Sequence, residues 1–136
     1  PDLEALLALR TQVAPLGATE AIITTADDLL VEGAYSSLMM WRAGNDHLTV
    51  IPPTTPHLPG ITEAVLTDYA RSAGIPVVAE DVSGSDLEGA EVWILIALQG
   101  IRVATAFVEG PSLGMVPGRR ELWQEHWLSL AQPVQA

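Results

Sequence analysis

Apolar positions along the chain alternate between helical and extended spacing. From residue 2 to residue 14, Leu3, Leu6, Leu7, Leu9 and Val13 follow early acids at helical intervals, which predicts an amphipathic helix. Pro15 and Gly17 stop it. Glu20-Ala21-Ile22-Ile23-Thr24 reads as a strand, Asp27-Asp28 as a turn, and Leu29-Leu30-Val31 as the return of a hairpin. Ser37 to Trp41 is apolar enough for a buried strand, with Met39 and Met40 in the core. His47 to Ile51 pairs back to it across the turn Gly44-Asn45-Asp46.

Pro52 to Pro59 contains four prolines, and proline lacks the N–H that a central strand needs. A helix then opens at Gly60-Ile61-Thr62. Ile61, Ala64, Val65, Tyr69 and Ala73 are predicted to share its apolar face, and Gly74 and Pro76 end it. Val77-Val78-Ala79 reads as a strand and Ser83 to Leu87 as a short helical turn. Val92 to Leu98 is the most apolar run and reads as a central strand, with Val103 to Val108 as its neighbour after Gly100. Pro111 to Gly118 is a connection, and residues 119–130 form a last helix bearing Leu122, Trp123, Trp127 and Leu130. Early hairpins followed by a strand-helix-strand unit favour a mixed α/β fold.

The 136 residues suit one domain, and the 49% hydrophobic content suits a folded core. No apolar run approaches the roughly 20 residues of a membrane span. No basic stretch followed by an apolar run reads as a signal peptide, and the cytoplasm is the expected location. Without cysteine there is neither a disulfide framework nor a thiolate metal site. The formal net charge is −11, and the six basic residues are all arginines, so lysine is absent. That balance argues against nucleic acid, whose phosphates are bound by many cations.

Two stretches carry candidate chemistry. The free N–H groups at a helix mouth attract anions without help from lysine or arginine. Gly60 allows close approach, and Thr62 adds a hydroxyl donor. Gly60-Ile61-Thr62 is therefore either a phosphate cup or a plain helix opening after a proline-rich loop, and Glu63 counts against an anion. In Val31-Glu32-Gly33, the glutamate ends an apolar strand. It is either a turn acid in solvent or a carboxylate facing a cleft, where it needs a partner such as a protonated ring nitrogen. His47, His57 and His126 show no metal-ligand spacing and read as structural or solvent-exposed. No Gly-x-Ser-x-Gly motif is present.

Three blocks in order, Leu30-Val31-Glu32-Gly33, Leu58-Pro59-Gly60-Ile61-Thr62 and Gly100-Ile101-Arg102-Val103, resemble the class IV aminotransferases. These are the fold-type IV enzymes of pyridoxal 5'-phosphate (PLP), among them branched-chain and D-amino acid aminotransferases and aminodeoxychorismate lyase. The resemblance runs from about Glu20 to about Gly110. It implies the C-terminal pseudo-barrel domain of such an enzyme, with helices packed on a sheet. It further implies that Glu32 binds the pyridine nitrogen of PLP and that Gly60, Ile61 and Thr62 hold its phosphate. Arg102 is a candidate for a substrate carboxylate.

The implied partners are an amino acid and keto acid, or an aminodeoxychorismate-like molecule, and a second copy in a homodimer. Neither nucleic acid nor membrane is expected as a partner. The family's Schiff-base lysine is expected upstream of Pro1, and so is the smaller N-terminal domain. The chain is therefore expected to be the C-terminal part of a longer protein. It departs from the family at Ser37, where asparagine is common, at Glu63, where arginine is common, and at Leu95-Ile96-Ala97, where polar residues are common. With no lysine, the alternative is a catalytically silent binding, scaffold or dimerisation domain.

Overall fold

The structure, a computed structural model, describes residues 20–33, 36–52, 60–96, 100–107 and 110–130. The helix expected over residues 2 to 14 lies outside them, as do His57 and most of the proline-rich loop.

Strand β1 (Ile22–Thr24) pairs antiparallel with β2 (Leu30–Gly33), as expected of the first hairpin. At its turn Asp28 takes a positive φ of 62°, a conformation that aspartate tolerates better than most residues. The chain then enters β3 (Ser37–Trp41), buried at all five positions. β3 pairs antiparallel with β4 (Leu48–Val50). Helix α1 (Ile61–Ser72) carries the chain to β5 (Val77–Ala79), which lies parallel to β4. This is the predicted strand-helix-strand unit, and a parallel neighbour requires such a crossover.

A 3-10 turn (Gly84–Leu87) precedes β6 (Glu91–Ile96), and β7 (Gly100–Val103) returns antiparallel to it. Helix α2 (Arg119–Leu130) has the bounds read from the sequence. The main sheet runs β5-β4-β3-β6-β7, and the β1-β2 ribbon is separate.

β3 lies at the middle of the sheet with both faces covered, so it reads as an unbroken apolar run. On one face, Met39, Trp41, Trp93, Leu95 and Ile101 pack against Leu66 and Ala70 of α1 and Trp123 of α2. On the other, Leu38, Met40 and Val92 pack against Leu30 of the ribbon and Leu87 of the 3-10 turn. Both methionines are fully buried, as expected. Trp123 meets Trp41 and Trp93 edge-on, with ring centroids 5.4 Å away in each case. The buried tryptophan of the terminal helix is thus committed to its own core.

Two expectations are corrected. The buried line of α1 is Thr62, Leu66 and Ala70, four residues apart. Ile61 is 79% exposed, and Ala64 and Ala73 also face solvent, while Val65 and Tyr69 are half-buried. Leu66 is the largest aliphatic side chain near the helix centre, and turning it inward removes more apolar surface than turning Ala64 inward. The second correction concerns the partner of β6, which spans Gly100–Val103, not Val103 to Val108. Ala104 N–H still bonds Val92 C=O, but further pairing would need Ala90, whose carbonyl is taken by Gly114 N–H. No helix among the described residues is long and apolar enough to cross a membrane.

Candidate functional site

The mouth of α1 lies against the start of β3. Gly60 is the N-cap, with φ −86° and ψ 152°, and as glycine it brings no capping side chain of its own. Ala64 N–H reaches Gly60 C=O, so the helical ladder begins one turn in. The N–H groups of a first turn have no partner inside the helix, and they lie at the positive end of its dipole. Thr62 is only 3% exposed, so its hydroxyl is held at the helix mouth and not free in solvent. Ile61 contributes backbone here, since its side chain faces outward. Glu63 stands in the same turn with its acid.

Ser37 forms the neighbouring wall. A β-carbon on Gly60 would lie 2.8 Å from Ser37 Oγ, closer than real β-carbons come. The glycine therefore fits the crossing of helix mouth and strand.

Glu32 sits on β2 opposite Ile23, half-buried. Ile22 packs against the second core, so its neighbour Ile23 and the paired Glu32 face the other side of the ribbon; the register shift between Ile23 and Thr24 is what lets Leu30 turn into that core. The residues after it close tightly. Gly33 N–H bonds Ser36 C=O at 2.9 Å, and a β-carbon on Gly33 would collide with Ser36 Oγ. Ser36 Oγ–H in turn donates to Glu20 Oε2 at 3.0 Å, and Glu20 Oε1 accepts Ala21 N–H at 2.9 Å. Ser36 and Ser37 are adjacent, so the hairpin bearing Glu32 and the mouth of α1 meet through one dipeptide.

Arg102 lies elsewhere. It is exposed on the edge strand β7, in register with Ile94 and, one strand further, Leu38. That row belongs to the ribbon-covered face, whereas Ser37 shares the helix-covered face with Met39. Of the departures from the family, Leu95 is buried in the first core opposite Ser37, Ile96 is half-buried, and Ala97 lies outside the described residues.

Two charged networks escaped the sequence reading. Glu91 is 2% exposed, and its carboxylate accepts Trp93 Nε1–H at 2.6 Å and Val116 N–H at 2.7 Å, with Arg119 Nη1 at 3.5 Å. Arg119 also lies over the Trp41 ring, 4.3 Å from its centroid. A glutamate two residues before a tryptophan on an apolar strand was the only available signal, because strand period puts both on one face.

The second network centres on Glu80. It accepts Thr49 Oγ1–H at 2.9 Å and has His47 Nε2 and Arg42 Nη1 each at 3.4 Å. The Thr49 hydroxyl, working against desolvation and joined by His47 and Arg42, holds the Glu80 carboxyl below its ordinary range. His126 stacks on Tyr69 at 3.9 Å. Among the described residues no group of His, Asp and Glu suits a metal ion.

Comparison with known proteins bears on this geometry. No protein of curated function matches the sequence. A hypothetical aminotransferase from Mycobacterium tuberculosis, solved in its PLP-bound form, superposes with a TM-score of 0.80 at 23% identity, covering 92% of this chain and 43% of its own. The branched-chain amino acid aminotransferase from Escherichia coli gives 0.80 at 24% identity, covering 94% and 43%. A Legionella pneumophila protein named for 4-amino-4-deoxychorismate lyase gives 0.79 at 21% identity, covering 94% and 47%. At these identities the likeness shows a shared fold, and the chain spans less than half the length of each. The family model for amino-transferase class IV matches residues 3–107, most of the sequence, and the chain belongs to that family.

Proposed function

We propose that this chain is the C-terminal, cofactor-holding part of a longer PLP-dependent enzyme, either an aminotransferase or an aminodeoxychorismate lyase-like enzyme. The observation that carries the proposal is the mouth of α1, where first-turn N–H groups and the buried Thr62 hydroxyl stand against Ser37 with no side chain on the N-cap Gly60. This donor set fits a phosphate monoester: neutral donors, a dipole of favourable sign and room for close approach. The M. tuberculosis neighbour's PLP-bound form and the family match support PLP as the molecule that carries it.

PLP supplies an electron sink for a substrate carbanion when bound. This chain's residues hold and tune it. The N–H groups of Ile61 and Thr62, with the Thr62 hydroxyl, grip the phosphate beside Gly60. The Glu32 carboxylate keeps a proton on the pyridine nitrogen, since an opposite charge favours the charged form of its partner. Arg102, exposed on the other face of the sheet from this mouth, is a substrate-carboxylate candidate only if another part of the complete protein brings the substrate to it. The lysine that the chemistry requires comes from outside these residues, in an N-terminal domain of the same protein. The assembly is proposed to be a cytoplasmic homodimer acting on an amino acid and keto acid or on an aminodeoxychorismate-like molecule.

Replacing Glu32 tests the reading. In the full-length protein, Glu32→Ala is expected to remove turnover, by about a hundredfold or more, while thermal unfolding stays cooperative. Full activity in that variant sinks the assignment. The lack of lysine in all 136 residues favours a second reading, a domain that keeps the fold without catalysis. That reading requires a full-length protein that takes up no PLP.

A further inference from the structure

Glu20 lies two residues before β1, and its carboxylate spans the end of the ribbon where β1 begins. One oxygen accepts Ala21 N–H at 2.9 Å and the other accepts Ser36 Oγ–H at 3.0 Å. Gly33 lies between them: a β-carbon there would strike Ser36 Oγ and lie 3.1 Å from Glu20 Oε2. The bridge therefore crosses directly over the residue that follows Glu32. The same segment is closed below by Gly33 N–H to Ser36 C=O at 2.9 Å, and Glu32 is paired in front with Ile23. Glu32 is thus fixed between its partner Ile23 on β1 and the Gly33–Ser36 closure that Glu20 braces.

We infer that Glu20 is a positioning residue: through Ser36 it sets the register of the hairpin carrying Glu32 relative to the mouth of α1. The inference rests on the reading of Glu32 and Gly60-Ile61-Thr62 as the two anchors of one PLP molecule. Leu30 and Ile22 hold the ribbon to the second core on one face, but a two-stranded ribbon has no third strand to hold the end that carries Glu32 and Gly33. β1 and β2 also shift register between Ile23 and Thr24, just beside the Ile23–Glu32 pair. A carboxylate that accepts from both Ala21, just before β1, and Ser36 supplies a pin there. Ser36 transmits it, because the next residue, Ser37, abuts Gly60. A group held this way keeps its rotamer and distance when the ligand binds, which is what a two-point site needs.

The test uses the full-length protein and follows PLP binding by quenching of tryptophan fluorescence, with inorganic phosphate as a competitor that reads the helix mouth alone. Glu20→Ala and Ser36→Ala are each expected to weaken PLP binding by about tenfold. Glu20→Gln keeps an acceptor for Ala21 N–H and an amide for the Ser36 hydroxyl, so it is expected to stay within about threefold. Competition by inorganic phosphate should change by less than about twofold in Glu20→Ala, because the mouth of α1 is untouched.

Unchanged PLP binding in Glu20→Ala and Ser36→Ala overturns the inference alone. So does a parallel loss of PLP and phosphate binding, which marks general loosening. If Glu20→Ala fails to fold, Ser36→Ala and Glu20→Gln decide it. No PLP binding by the unsubstituted protein overturns the reading and this inference together.

Discussion

Ser37 Oγ stands where a β-carbon on Gly60 would fall, 2.8 Å away. The backbone at Gly60 has an ordinary negative φ of −86°, so any residue could adopt it. The neighbour, not the backbone, calls for glycine here. Since the clash is with the end of a small side chain, Gly60→Ala should fold. Alanine is also a poor N-cap, and the combined loss of stability is expected to be about 1 kcal/mol. The larger effect should fall on the site: PLP binding by the full-length protein weakens about tenfold or more, and Gly60→Ala with Ser37→Ala recovers part of it. Isothermal titration of the single and double variants checks this. Equal losses in both would mean that Ser37 does not set the fit.

Glu91 holds the loop before α2 to the sheet. Its carboxylate joins the Trp93 indole, the Val116 amide and Arg119 in a fully enclosed place. Glu91→Ala removes the acceptor and leaves these donors behind, which is expected to cost about 3 kcal/mol in urea unfolding. Glu91→Gln keeps part of the bonding and should lose less. A change below about 0.5 kcal/mol in Glu91→Ala would contradict the role.

The edge of β7 is closed by side chains of α2. Gln124 Oε1 accepts Ile101 N–H at 2.8 Å, and Arg120 Nε–H donates to Ile101 C=O at 2.8 Å. Arg120 and Gln124 are one turn apart, so a single helix face serves both backbone groups. Gln124→Ala is expected to destabilise the protein by about 1–2 kcal/mol and to speed hydrogen exchange at the Ile101 amide. An open strand edge also invites pairing with another chain, so self-association should rise. Unaltered exchange at Ile101 would show that the helix does not protect this edge.

The Glu80 network gives a pH dependence with a definite sign. The carboxyl is held below its ordinary value of 4.5 by the Thr49 hydroxyl first, then by His47 and Arg42, against desolvation. A depressed folded-state pKa contributes stability that is present above the unfolded value and lost as pH falls through the folded one. Glu80→Gln should therefore be less stable than the unsubstituted protein at pH 7, and the gap should close as pH drops below about 4.5. Asp86, fully exposed and held low by Ser83, titrates in both proteins and cancels in the comparison. Melting temperatures of the pair at pH 7 and near pH 3.5 measure the gap. A gap that widens in acid would contradict the sign.

Strands with one clear signal were legible in the sequence. Ser37 to Trp41 is short, apolar and bounded by turn residues, and α2 has a clear start at Arg119-Arg120 after Gly118. The family blocks were legible too, since they depend on the order of short motifs. The rotation of α1 was not: Ile61 and Val65 are as apolar as Leu66, so the pattern alone does not choose the face, and packing of Leu66 and Ala70 against the sheet is what turns Thr62 inward with them. The extent of β7 was hidden for a similar reason, because Gly114 claims the carbonyl that would have extended the ladder. Glu20 and Glu91 carry no motif of their own, and the partners that give them a role, Ser36 and Val116, lie 16 and 25 residues away.

The central claim is that the mouth of α1 and Glu32 hold one PLP molecule from two ends. Equilibrium dialysis of the full-length protein against PLP, run beside Thr62→Val and Glu32→Ala, addresses it most directly. One PLP per chain is expected for the unsubstituted protein, with affinity about tenfold lower in each variant. No uptake by the unsubstituted protein, or the same affinity in all three, would contradict it.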